Sequence, residues 1–165
     1  MTMKTLFLLR HAKSGWKDAE MRDFDRPLAG RGRQDAPVIG RFMRKHSIKP
    51  DTIISSPAER ARETIEIVAK TAKLQGQVRY DERIYDAHAG NLLEVISQIS
   101  EQFASALMIG HNPGFSDLIL HLTGEESPMP TAALAQVALD IEQWNELRPG
   151  CGELKRMTKP KEIAE

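Results

Sequence analysis

The sequence predicts an α/β domain of three layers, in which a mostly parallel central sheet lies between two layers of helices. Two patterns lead to this fold class. Short apolar runs rich in branched side chains, typical of buried strands, recur along the chain, and segments with helical periodicity separate them. The chain has 165 residues, a length that suits one domain with a single well-buried core.

The strands are predicted from the apolar runs. They cover residues 5–9, 52–55, 78–80, 106–109 and 134–139, with a last short strand over 154–157. We therefore expect one domain over 1–157. The remaining residues, 158–165, are rich in charged side chains and are predicted to form a mobile tail.

The helices are predicted from apolar residues that share one helical face. These faces are formed by Ala36, Ile39, Gly40 and Met43, by Ala61, Ile65, Val68 and Ala72, and by Leu92, Leu93, Ile96 and Ile99. Two helices also have N-terminal signals. Ser56 is predicted to cap the second helix in a capping box with Glu59, and Asn91 is predicted to cap the third in the same way.

The charge balance argues against partners that are held by a net electrostatic field. The chain has 23 basic and 23 acidic side chains, so we expect no nucleic acid and no membrane as partner, and an anion site must arise from local clustering. The first residues lack the long apolar run of a signal peptide or a membrane span. A cytoplasmic protein is expected.

The first candidate site residues come after the first predicted strand. Arg10 and His11 stand directly behind residues 5–9, and Lys13 and Ser14 are close to them. Ligands of open α/β sheets bind at the carboxyl ends of the strands, so these side chains are expected at a ligand-binding edge. His11 alone would be a weak signal, because a lone histidine is more often structural.

Two later strands end in polar residues that should reach the same edge. The helix after residues 52–55 carries Arg60 and Arg62 near its N-terminus, where free N–H groups and the helix dipole also attract anions. Arg62 is better explained as a solvated helix residue. The strand over 106–109 leads to His111, and ordinary turn chemistry does not account for a histidine there.

The loop over 23–32 contributes another candidate arginine. Arg26 precedes Pro27, which favours an extended backbone, and Asp23 or Asp25 could fix its guanidinium. Loops at this edge of a sheet often carry functional residues. An ordinary surface turn explains the same residues nearly as well.

Together these motifs resemble the histidine phosphatase superfamily, whose fold is phosphoglycerate mutase-like, and within it the SixA-type phosphohistidine phosphatases. The resemblance spans the chain from Lys4 to about Met157. It is carried by Arg10-His11, by Arg26-Pro27-Leu28, by Ser55-Ser56-Pro57 with Arg60 and Thr64, and by Gly110-His111-Asn112-Pro113.

The resemblance implies roles for five side chains. His11 would be the nucleophile that accepts the phosphoryl group, Arg10 and Arg60 would bind the phosphoryl oxygens, and His111 would be the second histidine of the pocket. Arg26 carries over from the SixA-like branch as a further phosphate-binding residue.

Ala12 departs from the family pattern, in which glycine usually comes after the nucleophilic histidine. Glycine is favoured where φ is positive or where a ligand approaches the backbone very closely. With alanine at position 12, either property is in question. The departure removes no side chain that the chemistry needs.

The implied chemistry requires a neutral His11. An imidazole attacks phosphorus only when it is uncharged, and the surrounding cations should lower the pKa of His11. Water would then hydrolyse phospho-His11 in a second step. No metal and no other cofactor is expected, because no cluster of residues has metal-ligand spacing. Asp86 and His88 are candidates for a general acid.

The leading prediction is a metal-independent phosphatase that acts on phosphohistidine in a protein, since the chain is too short to supply an inserted lid over a small molecule. A phosphatase of small phosphomonoesters, or a mutase, is the alternative within enzymes. From another class comes a non-catalytic module that binds phosphoproteins. The sequence does not determine the oligomeric state. It also leaves open whether Lys13, Ser14 or Trp16 contacts the substrate.

Overall fold

Six β-strands form one sheet through the middle of the molecule. The structure is a computed structural model that describes residues 3–163. The strands are β1 (Lys4–Arg10), β2 (Thr52–Ser55), β3 (Val78–Tyr80), β4 (Ser105–Gly110), β5 (Leu134–Leu139) and β6 (Gly152–Thr158). Their order across the sheet is β3-β2-β4-β1-β5-β6. Only β5 runs against the other strands, because it pairs antiparallel with both of its neighbours. The mostly parallel sheet is therefore confirmed.

Helices cover both faces of this sheet. They are α1 (Gly30–Lys45), α2 (Glu59–Ala72), α3 (Ala89–Ser97), α4 (Gly114–Thr123) and the short α5 (Pro160–Ile163). None of the helices within residues 3–163 has the length and apolar character needed to cross a membrane.

Strand β1 shows how the two faces are filled. Leu6 and Leu8 belong to the apolar cluster that contains residues of α3 and α4, whereas Phe7 and Leu9 belong to the cluster formed with α1 and α2. Successive side chains of a strand point to opposite faces, so a continuous apolar run is what a strand buried on both sides requires. The predicted three-layer α/β/α arrangement is confirmed.

Both predicted helix caps are wrong. Helix α2 has Ala58 as its N-cap and begins at Glu59, so Ser56 lies in the turn before the helix, where its Oγ accepts a hydrogen bond from the N–H of Ala58 and also contacts His111. Helix α3 begins at Ala89. There Asn91 acts from inside the first turn, where its Oδ1 accepts a hydrogen bond from the N–H of His88.

The C-terminal region is more regular than the sequence indicated. Strand β6 extends beyond the predicted 154–157 at both ends, and its last residue, Thr158, is buried. Residues Pro160–Ile163 form α5, which contacts α1. The mobility predicted for 158–165 stays a prediction, and its last two residues, like residues 1 and 2, lie outside the part of the chain that the structure describes.

Candidate active site

Two histidines meet at the carboxyl edge of the sheet. Strands β1 and β4 are parallel neighbours in which Arg10 lies opposite Gly110, so the next residues, His11 and His111, emerge side by side. Their ring centroids are 5.1 Å apart. Only 7% of His11 and 9% of His111 is exposed, which places the pair at the bottom of a depression.

Three arginines surround the two histidines. Arg10 ends β1, Arg60 lies in the first turn of α2, and Arg26 comes from the loop before α1. Together with the histidines they line a cavity of about 260 Å³. Its remaining lining residues are Lys13, Ser14, Asn112 and Thr131. Five residues predicted from the sequence thus share one cavity, although the chain as a whole has no net charge.

His11 is held as one neutral tautomer. Its Nδ1 lies 2.8 Å from the carbonyl oxygen of Ala12. A carbonyl can only accept a hydrogen bond, so Nδ1 carries the proton and the free electron pair is on Nε2. Burial lowers the pKa of His11 to about 4; the bond to Ala12 opposes this shift, and the charges of Arg60 and Arg10 add to it.

His111 is held through the hydroxyl of Ser56. Nε2 of His111 lies 2.7 Å from Ser56 Oγ, which also accepts a hydrogen bond from the N–H of Ala58 at 3.2 Å. The Ser56 hydroxyl proton can therefore go to Nε2, which leaves the proton of the neutral ring on Nδ1. Burial, followed by the proximity of His11 and Arg60, lowers the pKa of His111 to about 3.

Asp23 connects two of the arginines. Its Oδ1 accepts a hydrogen bond from Nη1 of Arg26 at 3.0 Å, and its Oδ2 accepts one from Nη2 of Arg60, also at 3.0 Å. The backbone oxygen of Asp23 accepts a second bond from Arg60 at 2.8 Å. Of the two aspartates that the sequence offered for Arg26, the structure selects Asp23, because Asp25 pairs with Arg22.

The Tyr85 hydroxyl completes this network. It donates to Oδ2 of Asp23 at 2.7 Å, and its ring packs edge-on against His111 with centroids 5.6 Å apart. Partial burial would raise the pKa of Asp23, but the bonds from Tyr85 and Arg26 and the charge of Arg60 together lower it to about 2. Asp23 is therefore a carboxylate at neutral pH and cannot donate a proton.

Buried nitrogens without a hydrogen-bond partner concentrate at this cavity. Within the described chain, the buried side-chain nitrogen and oxygen atoms of this kind are Arg10 Nε, Arg26 Nε and His111 Nδ1. All three belong to residues that line the cavity. Because buried polar groups in native proteins are nearly always paired, their concentration is typical of a site that completes its hydrogen bonds with a ligand, here an anion.

Ala12 has a structural role beside the nucleophile candidate. It is fully buried in the cluster between the sheet and α1, and its N–H donates to Thr64 Oγ1 at 3.0 Å. In residues 3–163 the non-glycine positions with positive φ are Ser47, Lys73, Asp86 and Ala132. Ala12 therefore has ordinary backbone geometry, and alanine fits where the family usually has glycine.

Neither of the two general-acid candidates lines the cavity. Asp86 has a φ of 51° and is exposed, and the cavity lining does not include it. His88 is exposed at the N-terminus of α3.

Some residues of the site were missed by sequence reasoning. Asn112 and Thr131 line the cavity, and Tyr85, from the segment before α3, supports it through Asp23. Asn112 had a signal, since it stands directly after His111, and its Nδ2 donates to the carbonyl of Met129. Thr131 had none, because its position depends on how the chain returns to the sheet edge before β5.

The described residues contain no group of three or more His, Cys, Asp and Glu side chains arranged to hold a metal ion. The cavity instead offers guanidinium groups, which suit the tetrahedral oxygens of a phosphoryl group. Its geometry thus fits an oxyanion next to a neutral imidazole.

Comparison with known proteins agrees with this geometry. The sequence pattern of the Histidine phosphatase superfamily (branch 1) matches residues 6–119, which include all five predicted cavity residues. An uncharacterized protein of Mycobacterium tuberculosis is 32% identical over 157 residues, which is 88% of this chain and 96% of that protein.

Two further relatives carry the name SixA. The phosphohistidine phosphatase SixA of Escherichia coli is 27% identical over 139 residues, covering 82% of this chain and 85% of the relative. The structure of the protein histidine phosphatase SixA complexed with tungstate superimposes with a TM-score of 0.83 at 25% identity, covering 96% of this chain and 99% of that one. With its paired histidines, its arginines and these matches, the chain belongs to the histidine phosphatase superfamily.

Proposed function

We propose that this protein is a phosphohistidine phosphatase that works without a metal ion and forms a phosphohistidine intermediate on His11. One observation carries the proposal: a neutral His11, its Nδ1 proton engaged by Ala12, lies within a cavity that it shares with three arginines. A pocket that only bound phosphate would need the arginines but no buried, uncharged imidazole among them. The similarity to SixA proteins supports the choice of phosphohistidine as substrate.

In the first step Nε2 of His11 attacks the phosphorus. Its electron pair forms the new N–P bond while the bond from phosphorus to the substrate imidazole breaks. The pair from that bond returns to the substrate nitrogen, and the leaving imidazole takes up a proton from solvent unless its other ring nitrogen already carries one. Arg10 and Arg60 stabilise the equatorial oxygens, and positioning of this kind supplies most of the catalysis in phosphoryl transfer.

In the second step water attacks phospho-His11. The N–P bond breaks, Nε2 recovers its electron pair, and the water proton leaves with the inorganic phosphate or to solvent. Two easier steps thus replace one difficult step. His111 is neutral and its Nε2 is engaged by Ser56, so its Nδ1–H donates a further hydrogen bond to the phosphoryl group, beside those of Arg10 and Arg60.

The substrate class explains why a general acid is not prominent. An alkoxide is a poor leaving group and needs a proton from an acid during bond cleavage. An imidazole leaves more readily. Asp23 is ionised and Asp86 lies outside the cavity lining, so this site is better suited to the P–N bond of phosphohistidine than to the P–O bond of an alkyl phosphate.

The test compares hydrolysis of a phosphohistidine peptide, an alkyl phosphate and para-nitrophenyl phosphate by the native protein. We expect the highest kcat/KM for the peptide, with no loss after dialysis against EDTA. The variant His11→Ala should lose about a thousandfold or more of kcat/KM. His46→Ala is the matched control, because His46 is an exposed histidine at the C-terminal end of α1 that packs against Phe42.

Each alternative has its own result. Faster turnover of the alkyl phosphate would favour a small-molecule phosphatase, and transfer of the phosphoryl group within a sugar phosphate would indicate a mutase. Tight binding of the peptide without phosphate release would indicate a phosphoprotein-binding module. Unchanged hydrolysis by His11→Ala would exclude His11 as the nucleophile.

A further inference from the structure

We infer that Lys13, Trp16 and Arg26 form a rim surface that binds the polypeptide next to the phosphohistidine of a protein substrate. This inference rests on the proposed function, because it assigns a place to the protein part of that substrate. Neither the phosphoryl chemistry nor the histidine pair requires a tryptophan here.

Trp16 is the most exposed large hydrophobic side chain in residues 3–163, with 55% of its surface accessible. The indole of Trp144, by contrast, is fully buried in the core. Tryptophan is enriched where proteins bind one another, and exposed tryptophans often contribute a large part of the binding energy.

The position of Trp16 links it to the cavity. Its ring centroid lies 4.5 Å from the guanidinium carbon of Arg26, which lines the cavity. Arg26 is fixed independently, since its Nη1 donates to Asp23 and its Nη2 donates to Ser14 Oγ at 2.8 Å. The indole is therefore stacked on an arginine that is already held in place, which lowers the entropy lost when a partner binds.

The depth of the histidine pair determines which part of a substrate reaches the rim. Because His11 and His111 are almost entirely buried, a substrate must extend its phosphohistidine side chain into the cavity, and this brings the adjoining backbone onto the cavity mouth. Lys13 lines the cavity and is exposed. Its ammonium group favours acidic side chains beside the phosphohistidine, while Trp16 offers an apolar face to the same segment.

The experiment separates contacts with the flanking polypeptide from contacts with the phosphoryl group. Hydrolysis of a phosphohistidine peptide with glutamate on both sides, of free phosphohistidine and of para-nitrophenyl phosphate is measured for the native protein and for Trp16→Ala. We expect KM for the peptide to rise about tenfold, with kcat/KM for the two small substrates within about twofold. Trp16→Phe should restore most of the affinity for the peptide, because it keeps an aromatic ring over Arg26.

Tyr80→Ala is the matched control. Tyr80 is also exposed and stacked on an arginine, with its ring 4.1 Å from the guanidinium carbon of Arg62, but it does not line the cavity. We expect this variant to hydrolyse all three substrates like the native protein.

The outcomes distinguish this inference from the proposed function. If the native protein hydrolyses both phosphohistidine substrates and Trp16→Ala affects the peptide no more than free phosphohistidine, the rim surface is refuted and the proposed function stands. If the native protein hydrolyses para-nitrophenyl phosphate but neither phosphohistidine substrate, the proposed function is wrong and the rim inference falls with it.

Discussion

Asp23 places a carboxylate beside a cavity proposed to bind phosphate, although its negative charge repels the substrate. Its geometry gives a reason for its presence. One carboxylate orients both Arg26 and Arg60 and is itself held by Tyr85. Arg60 is only 7% exposed, and a buried guanidinium without a counter-ion would carry a large desolvation cost. We therefore regard Asp23 as a positioning residue.

The variant Asp23→Asn tests this role. Asparagine keeps the shape but loses the charge, so the arginines lose their strongest acceptor while the cavity becomes more attractive to anions. We expect kcat for the phosphohistidine peptide to fall about tenfold because phosphoryl transfer depends on alignment, whereas inhibition by inorganic phosphate changes less than about threefold.

Asp25→Asn is the control for that measurement. Asp25 lies in the same short helical turn but pairs with Arg22, an exposed residue. It should leave kcat unchanged. Full kcat in Asp23→Asn would show that the arginines keep their alignment without the carboxylate.

At the scale of single residues, the sequence was most informative at the ends of strands. Arg10 ends β1, and His11 and His111 stand directly after β1 and β4; parallel strands bring such residues to one edge. The bonds of Asp23 to Arg60 and of Tyr85 to Asp23 join residues that are 37 and 62 positions apart. These contacts join the segment around Asp23 to the first turn of α2 and to the segment before α3, and no periodicity indicates where the three meet.

Helix α1 positions the loop that carries part of the cavity. Gly32, in its first turn, lies against the backbone of Lys13, and a Cβ at this position would clash with the Lys13 carbonyl oxygen. That carbonyl accepts a hydrogen bond from the N–H of Ala29, which is the N-cap of α1. The close approach of α1 to the loop after β1 therefore requires glycine at this position.

The variant Gly32→Ala is expected to push the loop away from α1. Lys13 and Ser14 both line the cavity, so KM for the phosphohistidine peptide should rise. The free energy of unfolding, measured by urea denaturation, should fall by about 1–3 kcal/mol, as in other overpacked sites.

Gly30→Ala is its matched control, two residues earlier in the same helix. A Cβ at Gly30 would meet no atom within 4 Å, and alanine is the better helix former. We expect unchanged KM and equal or slightly higher stability. A loss of stability in both variants alike would contradict the explanation by contact with Lys13.

The elements themselves were largely predictable, and their ends were not. The five strands predicted from apolar runs lie within or coincide with β1 to β5. Burial on both faces explains such runs in β1 and β4, whereas β3 is an edge strand without a buried residue. The start of α2 was misjudged because Ser56 is a good capping residue by local rules, yet its Oγ bonds the N–H of Ala58 in the turn before the helix and also bonds His111. The bond to His111 joins residues 55 positions apart, which no local motif indicates.

The buried histidine pair should make the stability of the whole molecule depend on pH. Each ring has an ordinary pKa of 6.5, lowered in the folded protein to about 4 for His11 and about 3 for His111. Between those values and 6.5 the unfolded chain binds more protons than the folded chain. The free energy of unfolding therefore rises with pH in this range, with a slope of up to about 1.4 kcal/mol per pH unit for each histidine.

Urea denaturation at intervals between pH 4 and 7 measures this slope, because that range covers the interval between the lowered pKa of His11, about 4, and its ordinary value of 6.5. We expect stability to be fully developed above pH 6.5 and to decline as pH falls towards 4. Asp23 adds a loss in the same direction, but only as pH falls from its ordinary 3.8 towards 2. His111→Asn should show a shallower slope between pH 4 and 6.5 than the native protein. An identical slope would mean that His111 is not held neutral by burial.

For the whole molecule, the fold class and the sheet edge that carries the site were predictable from the alternation of strands and helices. The direction of β5 was not, because a short apolar run reads the same whether its strand is parallel or antiparallel. Its reversal brings the segment before β5 across the cavity, where Ala132 N–H donates to the carbonyl of His11. Thr131 enters the site through this connection.

The central claim is that Nε2 of His11 receives the phosphoryl group. The most direct measurement is rapid acid-free quenching of the native protein during turnover of ³²P-labelled phosphohistidine peptide, followed by mapping of the label and by NMR of the phosphoenzyme. We expect a base-stable, acid-labile label on His11 and no label on His11→Ala. The label should be attached at Nε2, because Nδ1 carries the proton that is hydrogen-bonded to the carbonyl oxygen of Ala12. Turnover without a labelled protein, or a label at another residue or at Nδ1, would contradict the claim.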